Sequence, residues 1–247
     1  MKKIIFLLLT AMSLFATQIQ IAVAANVSYA IDALKKEFAL QHKDIKVNVI
    51  LGSSGKLTAQ IKHQAPYQLF MSANMKYPNA LYQEKIAITK PRIYAQGGLA
   101  LLSVKPRDFS KGLEILKDSH IKKIALANPK TAPYGEATFE ALKRSKLLKD
   151  LKSKFIYGES ISQTISYAIS AADIGFVAKS SLFSPHLKQF KKGINWISID
   201  PKLYTPIDQG IVILKNAQNN PSVKAFYDFM LSKKAQKILQ AYGYHTP

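Results

Sequence analysis

Short apolar runs recur along the chain. Each opens, through a polar or glycine turn, into a segment with apolar residues at helical spacing. The first is QIQIAVAA (18–25), followed by Val27, Ala30, Ile31, Leu34 and Phe38. IKVNVILG (45–52) leads into LTAQIKHQ, and YQLFMSA (67–73) into NALYQEKI. GLALLSV (98–104) is a further strand. IKKIALA (121–127) precedes a helix carrying Ala137, Ala141 and Leu142, and KFIYG (154–158) precedes a helix over 161–170. DIGFVA (173–178) and GIVIL (210–214) read as strands, Trp196 lies in a core strand, and 222–243 reads as one long amphipathic helix. Strands alternating with helices imply an α/β fold with mainly parallel sheets flanked by helices. There are more such units than one small sheet needs. Two lobes are expected, 17–96 with the return segment 205–247 forming lobe I and 97–204 forming lobe II. With no long linker at the crossings, a hinge joins them.

The chain has 247 residues, 48% of them hydrophobic, enough for a sizeable core. Residues 1–16 open with Lys2 and Lys3 and run into an apolar block too short to span a bilayer. They read as a secretory signal peptide cut after Ala16, so the mature chain is expected outside the cytoplasm. Absence of cysteine removes thiol catalysis, zinc–thiolate sites and iron–sulfur clusters. The five histidines, His42, His63, His120, His186 and His245, are dispersed without metal-ligand spacing.

The formal charge is +20, yet arginine occurs only at Arg92, Arg107 and Arg144. Nucleic-acid readers favour the arginine fork. The lysines here are scattered in short pairs, with no basic arm and no aromatic-interleaved basic strand. This is a solvated lysine-rich surface, and no nucleic-acid partner is expected.

LGSSGKLTAQI (51–61) is the most suggestive stretch. A phosphate loop would need glycine where Ile50 stands and a hydroxyl where Leu57 stands. Ser53-Ser54-Gly55-Lys56 fits the S-x-x-K motif of penicillin-binding acyl-enzymes, with Ser53 as nucleophile and Lys56 beside it, but no K-T-G follows. The third reading is an anion cradle. A helix start offers unpaired N–H groups and a partial positive charge, and Ser53 or Ser54 would cap the helix and add a hydroxyl. The same arrangement recurs at three places. Asn26 is placed to cap the first helix, Pro133-Tyr134-Gly135 opens another, and Ser160 with Gln163 forms a capping box. In open α/β sheets such starts lie at the carboxyl ends of strands, where ligands bind. Only Glu136 brings a carboxylate near them. A cradle built of donors favours an anion that is fully deprotonated at neutral pH, because a protonated one leaves its own O–H without an acceptor.

With those residues in view, the chain resembles the periplasmic molybdate-binding proteins of ABC transporters, within the type II periplasmic binding-protein class. The likeness is carried by IAVAANVSYAIDAL (21–34), GSSGKLTAQI (52–61), AP-YQLFMSAN (65–74), ANPKTAPYGEATFEAL (127–142), GESISQTI (158–165), DIGFV (173–177) and AFYDFMLSKKAQKILQAYGY (225–244). It implies a two-lobed protein that is not an enzyme and has no cofactor. Molybdenum enters only as the bound oxyanion, molybdate or tungstate. It also implies delivery by a monomer to an inner-membrane permease driven by a cytoplasmic ATPase. By position, the oxyanion ligands would be Asn26, Ser54, Tyr134 and Ile161, the last through its backbone N–H, with Ala25 and Ser53 as further backbone donors. Many members end the G-I-V strand with a tyrosine where this chain has Ala178, and the Tyr134 hydroxyl is expected to stand in for it. Another oxyanion, such as sulfate, is the alternative ligand.

Overall fold

The computed structural model describes residues 17–247. The signal-peptide reading of 1–16 lies outside them. In chain order the strands are β1 (Thr17–Ala24), β2 (Ile45–Gly52), β3 (Leu69–Ser72), β4 (Arg92–Gly97), β5 (Leu99–Leu102), β6 (Ile124–Ala127), β7 (Phe155–Gly158), β8 (Ile174–Ala178), β9 (Trp196–Ser198) and β10 (Ile207–Ile213). The helices are α1 (Ile31–Ala39), α2 (Ser54–Lys62), α3 (Lys76–Gln83), α4 (Pro133–Arg144), α5 (Leu148–Leu151), α6 (Ile161–Ser170), α7 (Pro221–Met230) and α8 (Lys233–Ala241).

They form two five-stranded sheets, ordered β2-β1-β3-β10-β4 and β7-β6-β8-β5-β9. The chain passes from the first sheet to the second between Gly97 and Leu99, and is back in the first at Ile207. In each sheet the βαβ half is parallel: β1 pairs with β2 and β3, and β6 with β7 and β8. The other half is antiparallel, so the sheets are mixed rather than mainly parallel. β10 runs against β3 and β4, and β5 against β8 and β9. The cause is the crossing itself. A strand that returns through the junction by which another left must run the opposite way, and short connections suffice for antiparallel neighbours.

Alternation along each central strand feeds two helix layers. Ile19, Ile21 and Val23 of β1 pack with α1, α7 and α8, where the Phe38 and Phe226 rings meet edge-on at 5.1 Å. Ala22, between them, faces Leu57, Ile61 and Leu81 of α2 and α3. In the second sheet, Ile124 and Leu126 pack with Ala137, Ala141 and Leu142 of α4, while Ala125 meets Ile165 and Ala168 of α6.

Two local expectations are corrected. The C-terminal amphipathic run is two helices rather than one. Ser232 breaks it, its Oγ accepting from the Ala235 N–H as the cap of α8. Asn26 caps no helix. The chain leaves β1 through a 3-10 turn at Ala25–Tyr29, and the Asn26 amide is spent on partners far away in sequence.

Candidate functional site

The carboxyl ends of β1, β2 and β3 face the starts of α4 and α6 across a small cavity with buried walls. Its walls are Ala24, Ala25, Asn26, Gly52, Ser53, Ser54, Ala73, Ala132, Pro133, Tyr134 and Ile161. All six residues singled out from sequence are there, and all are buried. None of the wall residues carries a charged side chain. The space open to the centre of a water-sized sphere is about 10 Å³, that of one small species.

Each wall residue is set by a local reason. Ser53, extended at φ −69° and ψ 146°, sits at the cap position of α2. Its hydroxyl does not bond to that helix and stays buried without a partner. Ser54 is the first residue of α2, and its Oγ accepts from the Ala73 N–H at 2.9 Å. The hydroxyl proton is therefore free to be donated elsewhere. Pro133 opens α4, which brings Tyr134 into the first turn. Burial pushes the Tyr134 pKa well above its ordinary value, with Tyr244, Tyr94 and Tyr204 adding to the rise, so it remains a neutral hydroxyl. Ile161 is the first residue of α6, where backbone N–H groups have no intrahelical partner. The Ser160 Oγ accepts from the Gln163 N–H at 3.3 Å, and the Gln163 side chain accepts from the Glu159 N–H, one residue earlier than a capping box requires.

Asn26 departs from the donor-only expectation. Its Nδ2 donates to Gln209 Oε1 at 2.8 Å and to the Tyr244 hydroxyl at 2.9 Å. Its Oδ1 is buried without a partner. The Asn26 carbonyl accepts from the Tyr244 hydroxyl at 2.9 Å and from Ser180 Oγ at 3.2 Å. Sequence reading found Asn26 but missed Gln209, Tyr244 and Ser180. Ala178 ends β8 and is not part of the cavity wall.

The two halves are tied around the cavity. The Gly55 N–H donates to the Thr131 carbonyl at 2.9 Å, and a side chain at position 55 would collide with that carbonyl and with the Tyr77 hydroxyl. Ser162 Oγ donates to the Ala25 carbonyl at 2.9 Å. At the mouth, Lys56 pairs with Glu159 at 2.5 Å and Lys76 with Glu136 at 3.3 Å. The acyl-enzyme alternative fails here. Lys56 turns outward to Glu159, and the Ser53 hydroxyl has no base beside it. A larger hollow of about 300 Å³ lies next to the cavity, lined by Glu136, Glu140 and Asp208 together with Lys76. Among the described residues, no group of three or more His, Asp or Glu side chains could hold a metal ion.

A family model described as bacterial extracellular solute-binding protein matches residues 19–245. The molybdate-binding protein ModA of Azotobacter vinelandii is 35% identical over 233 residues, covering 93% of this chain and 90% of that protein. The ModA protein of Rhodobacter capsulatus is 33% identical over 202 residues, covering 81% and 77%. Among solved structures, the Azotobacter vinelandii periplasmic molybdate-binding protein superposes with a TM-score of 0.85 at 32% identity, covering 93% of this chain and 99% of that one. The chain belongs to the bacterial extracellular solute-binding protein family.

Proposed function

We propose that this protein captures molybdate or tungstate outside the cytoplasm and delivers it to an ABC permease driven by a cytoplasmic ATPase. It does so as a monomer in the periplasm, after removal of residues 1–16. The ligands are the hydroxyls of Ser54 and Tyr134, the Asn26 and Ile161 positions, and backbone donors at Ala25 and Ser53. The observation that carries this reading is the cavity wall: small, buried, free of charged side chains, and built from hydroxyls and helix starts. Groups fixed in a dry site hold a dianion by many short donor contacts, and enclosure strengthens each of them. The molybdate-binding names of relatives at 35% and 33% identity support the choice of anion. The two sheets would part and close about the crossings at Gly97–Leu99 and before Ile207 to admit it.

The test is a thermal-shift screen of residues 17–247 against molybdate, tungstate, sulfate and phosphate. A ligand at a hundred times its dissociation constant adds about 2.7 kcal/mol and raises the melting temperature. Shifts with molybdate and tungstate but not phosphate are expected. A shift with sulfate alone would move the assignment to that anion, and no shift with any of the four would remove it.

A further inference from the structure

The cavity backs onto a buried polar knot at the junction of the two sheets. Gln209, fully buried, lies where β10 bulges: its register with β4 shifts between Gln209 and Gly210. A bulge re-aims the side chains beside it. Here one amide reaches both halves of the site. Gln209 Oε1 accepts from Asn26 Nδ2 at 2.8 Å. Gln209 Nε2 donates to the Ile207 carbonyl at 3.1 Å and lies with the Tyr134 hydroxyl over Gly97. A methyl group built on Gly97 would come within 2.9 Å of Nε2 and nearer still to the hydroxyl oxygen. Gln209 also acts to lower the Tyr134 pKa, as a donor to the phenol oxygen does, against the burial that raises it.

A phenol has one hydrogen to give. If its oxygen receives Nε2, that hydrogen is left for the cavity. Ser54 shows the same arrangement with the Ala73 N–H as the donor. We propose that Gln209 is the positioning residue of the anion site: it holds Asn26 through Oε1 and, by presenting Nε2 to the Tyr134 oxygen, fixes the Tyr134 O–H as a donor toward the ligand. The inference deepens the oxyanion reading and rests on it. The two contacts differ in redundancy. Asn26 is also held by Tyr244 and Ser180, whereas the Tyr134 hydroxyl makes no hydrogen bond as it stands, with Gln209 Nε2 beside it over Gly97. Loss of Gln209 is therefore felt mainly through Tyr134.

A double-mutant cycle isolates that coupling. Molybdate is titrated calorimetrically into wild type, Gln209→Met, Gln209→Glu, Tyr134→Phe and the two double variants. Methionine removes the amide at similar volume. Glutamate keeps the shape and the acceptor to Asn26, but its ionised carboxylate draws the Tyr134 hydrogen to itself. Each Gln209 substitution is expected to weaken binding by roughly tenfold or more with Tyr134 present, the scale of one buried unmatched polar group. In the Tyr134→Phe background the loss should be at least about fivefold smaller. Glutamate adds a charge and a new contact to Tyr134, so the methionine cycle measures the coupling and the glutamate cycle reports the effect of reversing the hydrogen bond. Melting temperatures of the unliganded variants identify any that fail to fold, and either substitution alone completes a cycle. Equal losses in the two backgrounds, or no loss, would overturn the role of Gln209 while leaving the site intact. A wild type that binds no oxyanion would instead remove the site reading, and this inference with it.

Discussion

The cavity wall and the mouth of the cleft join the same two halves of the molecule by opposite means. The wall uses neutral groups, nearly all buried, with hydroxyls at Ser53, Ser54 and Tyr134. The mouth uses ions. Lys56 and Glu159 are 50% and 61% exposed in their side chains, and Lys76 is 66% exposed. In water such pairs contribute little, whereas a donor fixed in a dry cavity acts at low dielectric. The cavity wall carries no charged side chain, so the basic excess of the described residues lies outside it. On the proposed reading, lysines would steer an anion toward the cleft and neutral donors would hold it there.

That contrast can be broken most severely from inside. Asn26→Asp places a carboxylate in the wall with the same shape. A unit charge about 4 Å from another costs roughly 4 kcal/mol at an effective dielectric of 20, so molybdate affinity should fall by about a thousandfold or more. Calorimetric titration at neutral pH measures it, and near-wild-type affinity would mean that Asn26 does not face the ligand. Next in size, Ser54→Ala removes one buried donor and leaves the Ala73 N–H without its acceptor. A loss of about 1–3 kcal/mol in binding is expected, with a lowered melting temperature of the unliganded protein. An unchanged dissociation constant would place the anion elsewhere. The smallest effect belongs to the mouth. Lys56→Ala deletes an exposed ion pair and should change affinity by less than about 1 kcal/mol. A collapse of binding in that variant would return Lys56 to the centre of the chemistry and refute the contrast.

What the sequence made legible follows the same division. Ser53, Ser54, Pro133 and Ser160 belong to strand–turn–helix junctions, whose signals are local: cap residues, a proline at a helix start, a glycine beside a serine. Those positions could be found by reading ten residues at a time. Asn26 was found as a position but misread as a cap, because its side-chain partners Gln209 and Tyr244 lie 183 and 218 residues away. Gln209 and Tyr244 carry no local signal of that use. The antiparallel β10 was hidden for the same reason, since its direction depends on where the chain re-enters the first sheet. The C-terminal break at Ser232 was within reach, as serine competes with the helix backbone and favours a new start. Apolar periodicity runs on through that break and concealed it.

The central claim is that enclosed neutral donors, not the lysine surface, hold the anion. The dissociation constant of the wild-type protein for molybdate, measured by calorimetry from low to high sodium chloride at constant pH, tests it most directly. Screening acts on exposed charges and much less on a closed cavity, so the account predicts a dissociation constant that varies only modestly across the series. A steep, continuous loss of affinity with rising salt would contradict it and place the anion on the lysine surface.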